Sequence, residues 1–192
     1  MDVSRETLIE RFFPDSDRIR TYAAFLESAG IERGLIGPGE SERIWERHIF
    51  NCLPVTQLLR EGSIVFDVGS GAGLPGIVIA LARPDLHLTL IEPLERRAEF
   101  LREAVKGLDI EVIRGQAQDV RATAHYVTAR AVAPLEKLKK LSWHLLKTGG
   151  SLMAIKGKSA EEEMKTTPKA ILHEVTLDGI ELGRIVEVRK GA

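Results

Sequence analysis

The sequence predicts an α/β protein: a mostly parallel sheet with helices on both faces, preceded by a helical cap and closed by an antiparallel hairpin. Three observations carry this expectation. Strand-like and helix-like runs alternate from Ser63 to Ile155, the rhythm of a parallel sheet with crossover helices. Residues 1–60 show only three- and four-residue apolar spacing. Asp178-Gly179 joins two final strand-like runs, a strong hairpin signal.

In the first sixty residues, Pro14-Asp15-Ser16 opens a helix with Ile19, Tyr22, Ala23, Phe25 and Leu26 on one face, and Gly30 stops it. Gly34 to Gly39 is a loop. Ser41 then opens a helical stretch carrying Ile44, Trp45, His48 and Cys52. From there Ile64-Val65-Phe66 is a buried strand, followed by a glycine loop and a helix from Pro75 to about Arg83. Strands follow at His87–Ile91, Glu111–Ile113, Tyr126–Thr128 and Ser151–Ile155, with helices at Leu94–Lys106 and Pro134–Leu145. Ser159-Ala160-Glu161-Glu162 reads as a capping box. Ile171–Leu177 and Ile180–Val188 complete seven strands. The expected organisation is a cap over 1–60 and one compact unit over 61–192.

Composition narrows the class. With 44% hydrophobic and 29% charged residues the 192-residue chain is ordinary for a globular protein. No apolar run approaches the roughly 20 residues of a membrane helix, and the N-terminus carries no secretory pattern. A single cysteine, Cys52, excludes an internal disulfide and a Cys-cluster zinc site. A cytoplasmic protein without metal or membrane, acting as a monomer, is expected. Net charge is −1, yet residues 134–192 hold 11 basic and 8 acidic side chains and nine of the ten lysines. A basic face of this kind suits phosphates, and a solvated surface explains it equally well.

The central motif is Val65-Phe66-Asp67-Val68-Gly69-Ser70-Gly71-Ala72-Gly73-Leu74-Pro75-Gly76. Its glycines allow a tight strand-to-helix turn and close approach of a ligand to the backbone. Glu92 ends the second strand, where a carboxylate can accept from both hydroxyls of a ribose. Gly71, Gly73 and Gly76 also fit the dinucleotide-binding pattern. Asp67 separates the two readings: an acid there repels a pyrophosphate but is placed to meet a ligand amino group. With the terminal hairpin, this favours S-adenosylmethionine over NAD, and so a class I S-adenosylmethionine-dependent methyltransferase with a Rossmann-like seven-stranded sheet.

The stretch Asp67 to Gly76, with Ala129-Arg130-Ala131 and Ile155-Lys156-Gly157, resembles the bacterial family of small-subunit ribosomal RNA guanine-N7 methyltransferases G, also called glucose-inhibited division protein B. The resemblance runs from about Trp45 to Lys158. It implies cofactor contacts at Gly69, Leu74, Ala117 and Gln118, and a functional arginine at Arg130. Gln118 stands where the family has an acid beside the adenine. Gly34-Leu35-Ile36-Gly37 replaces the family's Asn-Leu-Thr, and Asn51 takes the acidic place of its His-x-x-Asp segment, here beginning at His48.

The residues also bear on which atom is methylated. Carbon-5 methylation of a pyrimidine needs a thiol nucleophile, and the one thiol lies in the cap. Methylation of an exocyclic amine uses an Asp/Asn-Pro-Pro-aromatic clamp, and Ala129 to Pro134 lacks it. Guanine N7 needs neither, being an outward-directed lone pair. The expected donor site is Asp67, Gly69, Gly71, Leu74, Glu92, Ala117, Gln118 and Arg130. Arg130, the expected catalytic residue, suits the donor carboxylate, an RNA phosphate or the guanine edge. Lys156 and Lys158 are the expected contacts to 16S ribosomal RNA or the small subunit, with solvated surface lysines nearly as good an account, and His48 is read first as a satisfied core histidine and second as a further RNA contact. Rival readings are a methyltransferase for another substrate, an NAD-dependent reductase, and an RNA-binding assembly factor with a vestigial donor pocket.

Overall fold

The computed structural model describes residues 3–191. Seven strands form one sheet in the order β3-β2-β1-β4-β5-β7-β6. They are β1 Ile64–Val68, β2 His87–Glu92, β3 Ile110–Arg114, β4 Ala124–Arg130, β5 Leu146–Lys156, β6 Ile171–Val175 and β7 Gly183–Arg189. The first five are parallel, and β7 runs antiparallel between β5 and β6. Helices α3 (Gly76–Ala82), α4 (Glu95–Ala104) and α5 (Leu135–Ser142) cross between strands. Because helices cover both faces, β1 is buried from Val65 to Val68, which is why it reads as an unbroken apolar run apart from Asp67.

The hairpin is antiparallel as expected, but its loop is longer than two residues. Val175 pairs with Gly183, and Asp178-Gly179 occupies the centre of a turn closed by Ile180 N–H donating to Leu177 O across 2.9 Å. Gly179 takes φ +83°, which only glycine adopts without strain. The turn packs on the N-terminal helix α1 (Arg5–Phe12), where Arg11 donates to Asp178.

The cap is helical but less regular than its periodicity suggests. Helix α2 (Ser16–Phe25), capped by Asp15 accepting from Arg18 N–H, loosens into a π turn over Leu26–Gly30. A 3₁₀ segment at Pro38–Arg43, a π turn at Ile44–Ile49 and two short 3₁₀ segments follow. Pro38 and Pro54 withhold the amide donors a continuous helix needs. Ile19, Leu26, Ile44, Ile49 and Leu53 are fully buried in one apolar cluster with Ile77, Val78, Leu90 and Phe100. Phe25 stacks on Phe100 with ring centroids 4.7 Å apart.

The capping box at Ser159 does not form. In α6 (Ala160–Met164), Ser159 makes no side-chain bond to a helix amide; its hydroxyl pairs with Glu163 instead, and Glu162 pairs with Lys165.

Candidate functional site

The strand order places the site. From β1 the chain moves outward to β2 and β3, then returns to the other side of β1 with β4. Parallel sheets open a crevice at such a reversal, beyond the carboxyl ends of the strands. Register carries Gly69, Glu92 and Arg130 to that edge: Val68 pairs with Ile91, and Asp67 with Thr128.

Two clefts meet there. One, of about 530 Å³, is lined by Gly69, Ser70, Gly71, Leu74, Glu92, Leu94 and Arg97, with Leu35 and Ile36 from the cap. The other, of about 760 Å³, is lined by Arg47 and Asn51, by Ala133 and Pro134, and by Lys158, Glu181 and Arg184. His48, Arg130, Ala131 and Val132 line both, so they form the seam.

In the first cleft, Glu92 is buried, and its two oxygens accept from Gly71 N–H at 2.9 Å and Leu94 N–H at 3.0 Å. The glycines serve different ends. Gly71, at φ +56°, has only the Gly69 carbonyl within 4 Å of where a Cβ would stand, so its position opens into the cleft. A Cβ at Gly76 would meet Leu90 and Asp67, so this glycine lets α3 approach the sheet. At Gly69 a Cβ would lie 2.8 Å from Val132, which covers the turn. The cap braces the loop: the buried Tyr22 hydroxyl donates to Ala72 O across 2.8 Å. An open glycine, a strand-end carboxylate and apolar walls at Leu35, Ile36, Leu74 and Leu94 fit a nucleoside with vicinal hydroxyls.

Several expected site residues stand elsewhere. Asp67 is fully buried beneath the loop rather than facing the cleft. Its carboxylate accepts from the Thr128 hydroxyl at 2.9 Å and from Gly76 N–H at 3.3 Å. Burial pushes it up from 3.8 to about 6, against these hydrogen bonds. Asp67 therefore shapes the turn and makes no contact along the cleft wall. Ala117 is buried and Gln118 exposed with its amide donating to Gln116, and neither lines the cleft. Sequence reasoning missed Leu35 and Ile36; their loop differs from the resembled family, which left no motif to flag them.

On the acceptor side, Lys156 is also reassigned. Its ammonium, nearly buried, pairs with Glu163 at 2.7 Å and donates to Ala133 O at 2.9 Å. Glu163 accepts in turn from Leu135 N–H and Ser159. Lys156 thus ties β5 to the 131–134 loop and α6, and a neutralised cation offers little to a phosphate. Lys158 is exposed and has no ion-pair partner among the described residues. Ala131 is held at φ +53°, an unusual conformation for a residue with a side chain, and Val132 beside it is 39% exposed on the seam.

Arg130 ends β4 and reaches into the cap. Nη1 donates to His48 O at 3.2 Å, and Nη2 bonds His48 Nδ1 at 3.1 Å. His48 Nε2 lies 2.9 Å from Glu40, whose other oxygen accepts from Arg47 at 2.7 Å. A guanidinium only donates, so Nδ1 must accept and Nε2 must carry the proton given to Glu40. Burial, and then the nearby Arg130 charge, hold His48 below its ordinary 6.5 despite Glu40. Both ring nitrogens of His48 are thus engaged by protein partners, and the ring orients Arg130. Cys52 lies buried beneath, its thiol pushed up by burial to about 11, so it is no nucleophile at neutral pH.

Comparison with known proteins identifies the family. The family model described as rRNA small subunit methyltransferase G matches residues 15–184, a wider span than the motifs mark. The chain is 52% identical over 167 residues to the ribosomal RNA small subunit methyltransferase G of Mycolicibacterium vanbaalenii, covering 83% of this chain and 74% of the relative. A methyltransferase crystal structure from Pyrococcus furiosus superposes with a TM-score of 0.61 at 16% identity, covering 92% of this chain and 98% of that one. A SAM-dependent methyltransferase from Aquifex aeolicus superposes at 0.57 with 18% identity, covering 84% and 97%. The last two show the shared methyltransferase fold; the family match and the close relative show that the chain belongs to the rRNA small subunit methyltransferase G family.

Proposed function

We propose that this protein transfers a methyl group from S-adenosylmethionine to N7 of one guanine in a loop of 16S ribosomal RNA, free or in the small subunit, acting as a cytoplasmic monomer. The observation that carries the reading is the meeting of the two clefts at Arg130, Ala131 and Val132. Glu92 and the open Gly71 position suit the donor's ribose, and Leu74 and Leu94 its apolar faces. Lys158 gives the other cleft a cation for phosphates, and Arg47 and Arg184 add two whose pairs with Glu40 and Glu174 are far more exposed than that of Lys156 and so can exchange.

The bound donor supplies an electrophilic methyl on a sulfonium. The chain's own part is to hold and orient. N7 carries no proton at neutral pH, so attack requires none to be removed. Three of the candidate bases near the seam are otherwise occupied: His48 by Arg130 and Glu40, Asp67 by Thr128 and Gly76, Glu163 by Lys156. Arg130, with its fork pinned by the cap, fixes the acceptor's approach, and bringing nucleophile and methyl into line accounts for the rate. The test is single-turnover transfer to 16S substrate with the product located by cleavage at N7-methylguanine. The rate should be nearly flat from about pH 6 to 8.5, without the titrating limb of a general base. Methylation on an amine or ring carbon would overturn the atom, and a steep rise at constant RNA binding would overturn the base-free chemistry.

A further inference from the structure

A third cleft, of about 410 Å³, lies away from the seam, between α5 and the segment after α6. It is lined by Glu136, Lys139, Lys140 and Trp143 from α5 and its C-cap, and by Thr166, Thr167 and Pro168. Trp143 is half-buried, and the Lys139 ammonium sits 4.8 Å from its ring centroid. Among the described residues Lys140 is held only by an exposed pair with Glu136, an interaction weak enough to exchange for a phosphate. Thr167 is 2% exposed, and its Oγ1 has no hydrogen-bond partner among the described residues. A buried hydroxyl left unpaired costs about 1–3 kcal/mol, and a ligand polar atom at the cleft floor would relieve that cost.

We propose that this cleft is a second RNA site, holding one unstacked nucleotide of the same strand whose guanine enters the seam. The proposal rests on the RNA reading above. An aromatic face beside two lysines is how single strands are held, the base stacked and the phosphate neutralised. Helix α5 connects the sites. Pro134, at its N-cap, lines the acceptor cleft, and Trp143, at its C-cap, lines this one. Its eight residues span about 12 Å at 1.5 Å each, so one continuous strand reaches both. The catalytic geometry leaves the lysine-rich stretch unexplained; here Lys139 and Lys140 hold substrate at a distance from the chemistry.

The test uses the full chain in a Trp45→Phe background, which leaves Trp143 as the one indole. Titration with single-stranded oligoadenylate should quench Trp143 emission saturably, and added salt should weaken it. Equal quenching by tripolyphosphate would reduce the cleft to a charge patch and overturn the proposal. In transfer assays Lys139→Glu/Lys140→Glu should raise KM for the 16S substrate about tenfold, with the loss in KM rather than kcat. Thr167→Val should raise the melting temperature yet weaken oligoadenylate binding two- to threefold, an outcome that a purely structural threonine does not give. If wild type methylates 16S RNA but oligoadenylate leaves Trp143 unquenched and the double variant keeps wild-type KM, this inference falls alone. If wild type transfers no methyl group to that RNA, the functional reading falls first.

Discussion

Arg130 on the sheet and His48 in the cap share a hydrogen bond of 3.1 Å in which the imidazole must be the acceptor. The bond therefore survives only while His48 is neutral. Arg130 and Arg47 disfavour the imidazolium, whereas Glu40 favours it, and burial decides the balance downward. The unfolded chain takes up this proton below about 6.5 and the folded chain only at lower pH. Stability from His48 is thus present above 6.5 and declines as pH falls through the depressed folded value. Denaturant melts from pH 5 to 7 should show that slope in wild type and a reduced slope in His48→Asn, which keeps an acceptor but cannot titrate. Identical slopes would mean the contact does not set the protonation state.

Arg130→Ala should lower single-turnover methylation by at least about tenfold, equivalent to roughly 1.4 kcal/mol. Because Nη1 also bonds the His48 carbonyl, this variant should lose about 1 kcal/mol of stability as well. Cys52→Ala should stay active, since the thiol is buried and protonated. A dead, folded Cys52→Ala beside a fully active Arg130→Ala would reverse the assignment.

Two glycines of the same motif, one in the turn and one opening α3, should fail in different ways. Gly71→Val should fold but lose S-adenosylmethionine binding in calorimetry, because its side chain would project into open cleft at a strained φ of +56°. Gly76→Ala should fail to fold stably, because its Cβ would meet Leu90 and Asp67. Wild-type affinity in Gly71→Val would place the donor elsewhere, and calorimetry favouring NAD would replace the donor.

Asp67→Asn tests whether the acid serves the fold or the ligand. With a folded value of about 6 against 3.8 unfolded, its ionised form opposes folding fully above pH 6 and not at all below about 3.8. The linkage gives an upper bound of about 3 kcal/mol. Asparagine can accept from Gly76 N–H through its oxygen and donate its amide to the Thr128 hydroxyl, so the variant should be more stable than wild type at pH 8, with the gain fading toward pH 4. S-adenosylmethionine affinity should change by less than about threefold. A loss of a hundredfold with the fold intact would restore Asp67 to the donor contacts.

The alternating strands, the glycine turn, Glu92 and the hairpin were legible because each rests on local chemistry: apolar period, glycine conformation, strand-end position. The corrections involve partners distant in sequence. Nothing near Lys156 announces Glu163 as its counter-ion on another helix, and nothing near His48 fixes that Arg130 and Glu40 take both its nitrogens. The burial of Asp67 was not legible for a related reason. A motif gives the order of residues along a turn, whereas pairing with Thr128 on β4 decides which side of the turn its carboxylate faces.

The clasp between α1 and the hairpin turn has a consequence for how the chain is made. A Cβ at Gly179 would lie 2.8 Å from Val3 and 3.1 Å from Leu8, and Arg11 grips Asp178 across 167 positions of sequence. During translation α1 leaves the ribosome 167 positions ahead of the turn that covers it. Until then the apolar side of α1 around Leu8 lacks part of its cover, and closing so long a loop is slow. The nascent protein should therefore pass through a state in which the glycine turn and inner strands are formed while its first helix is still unclasped.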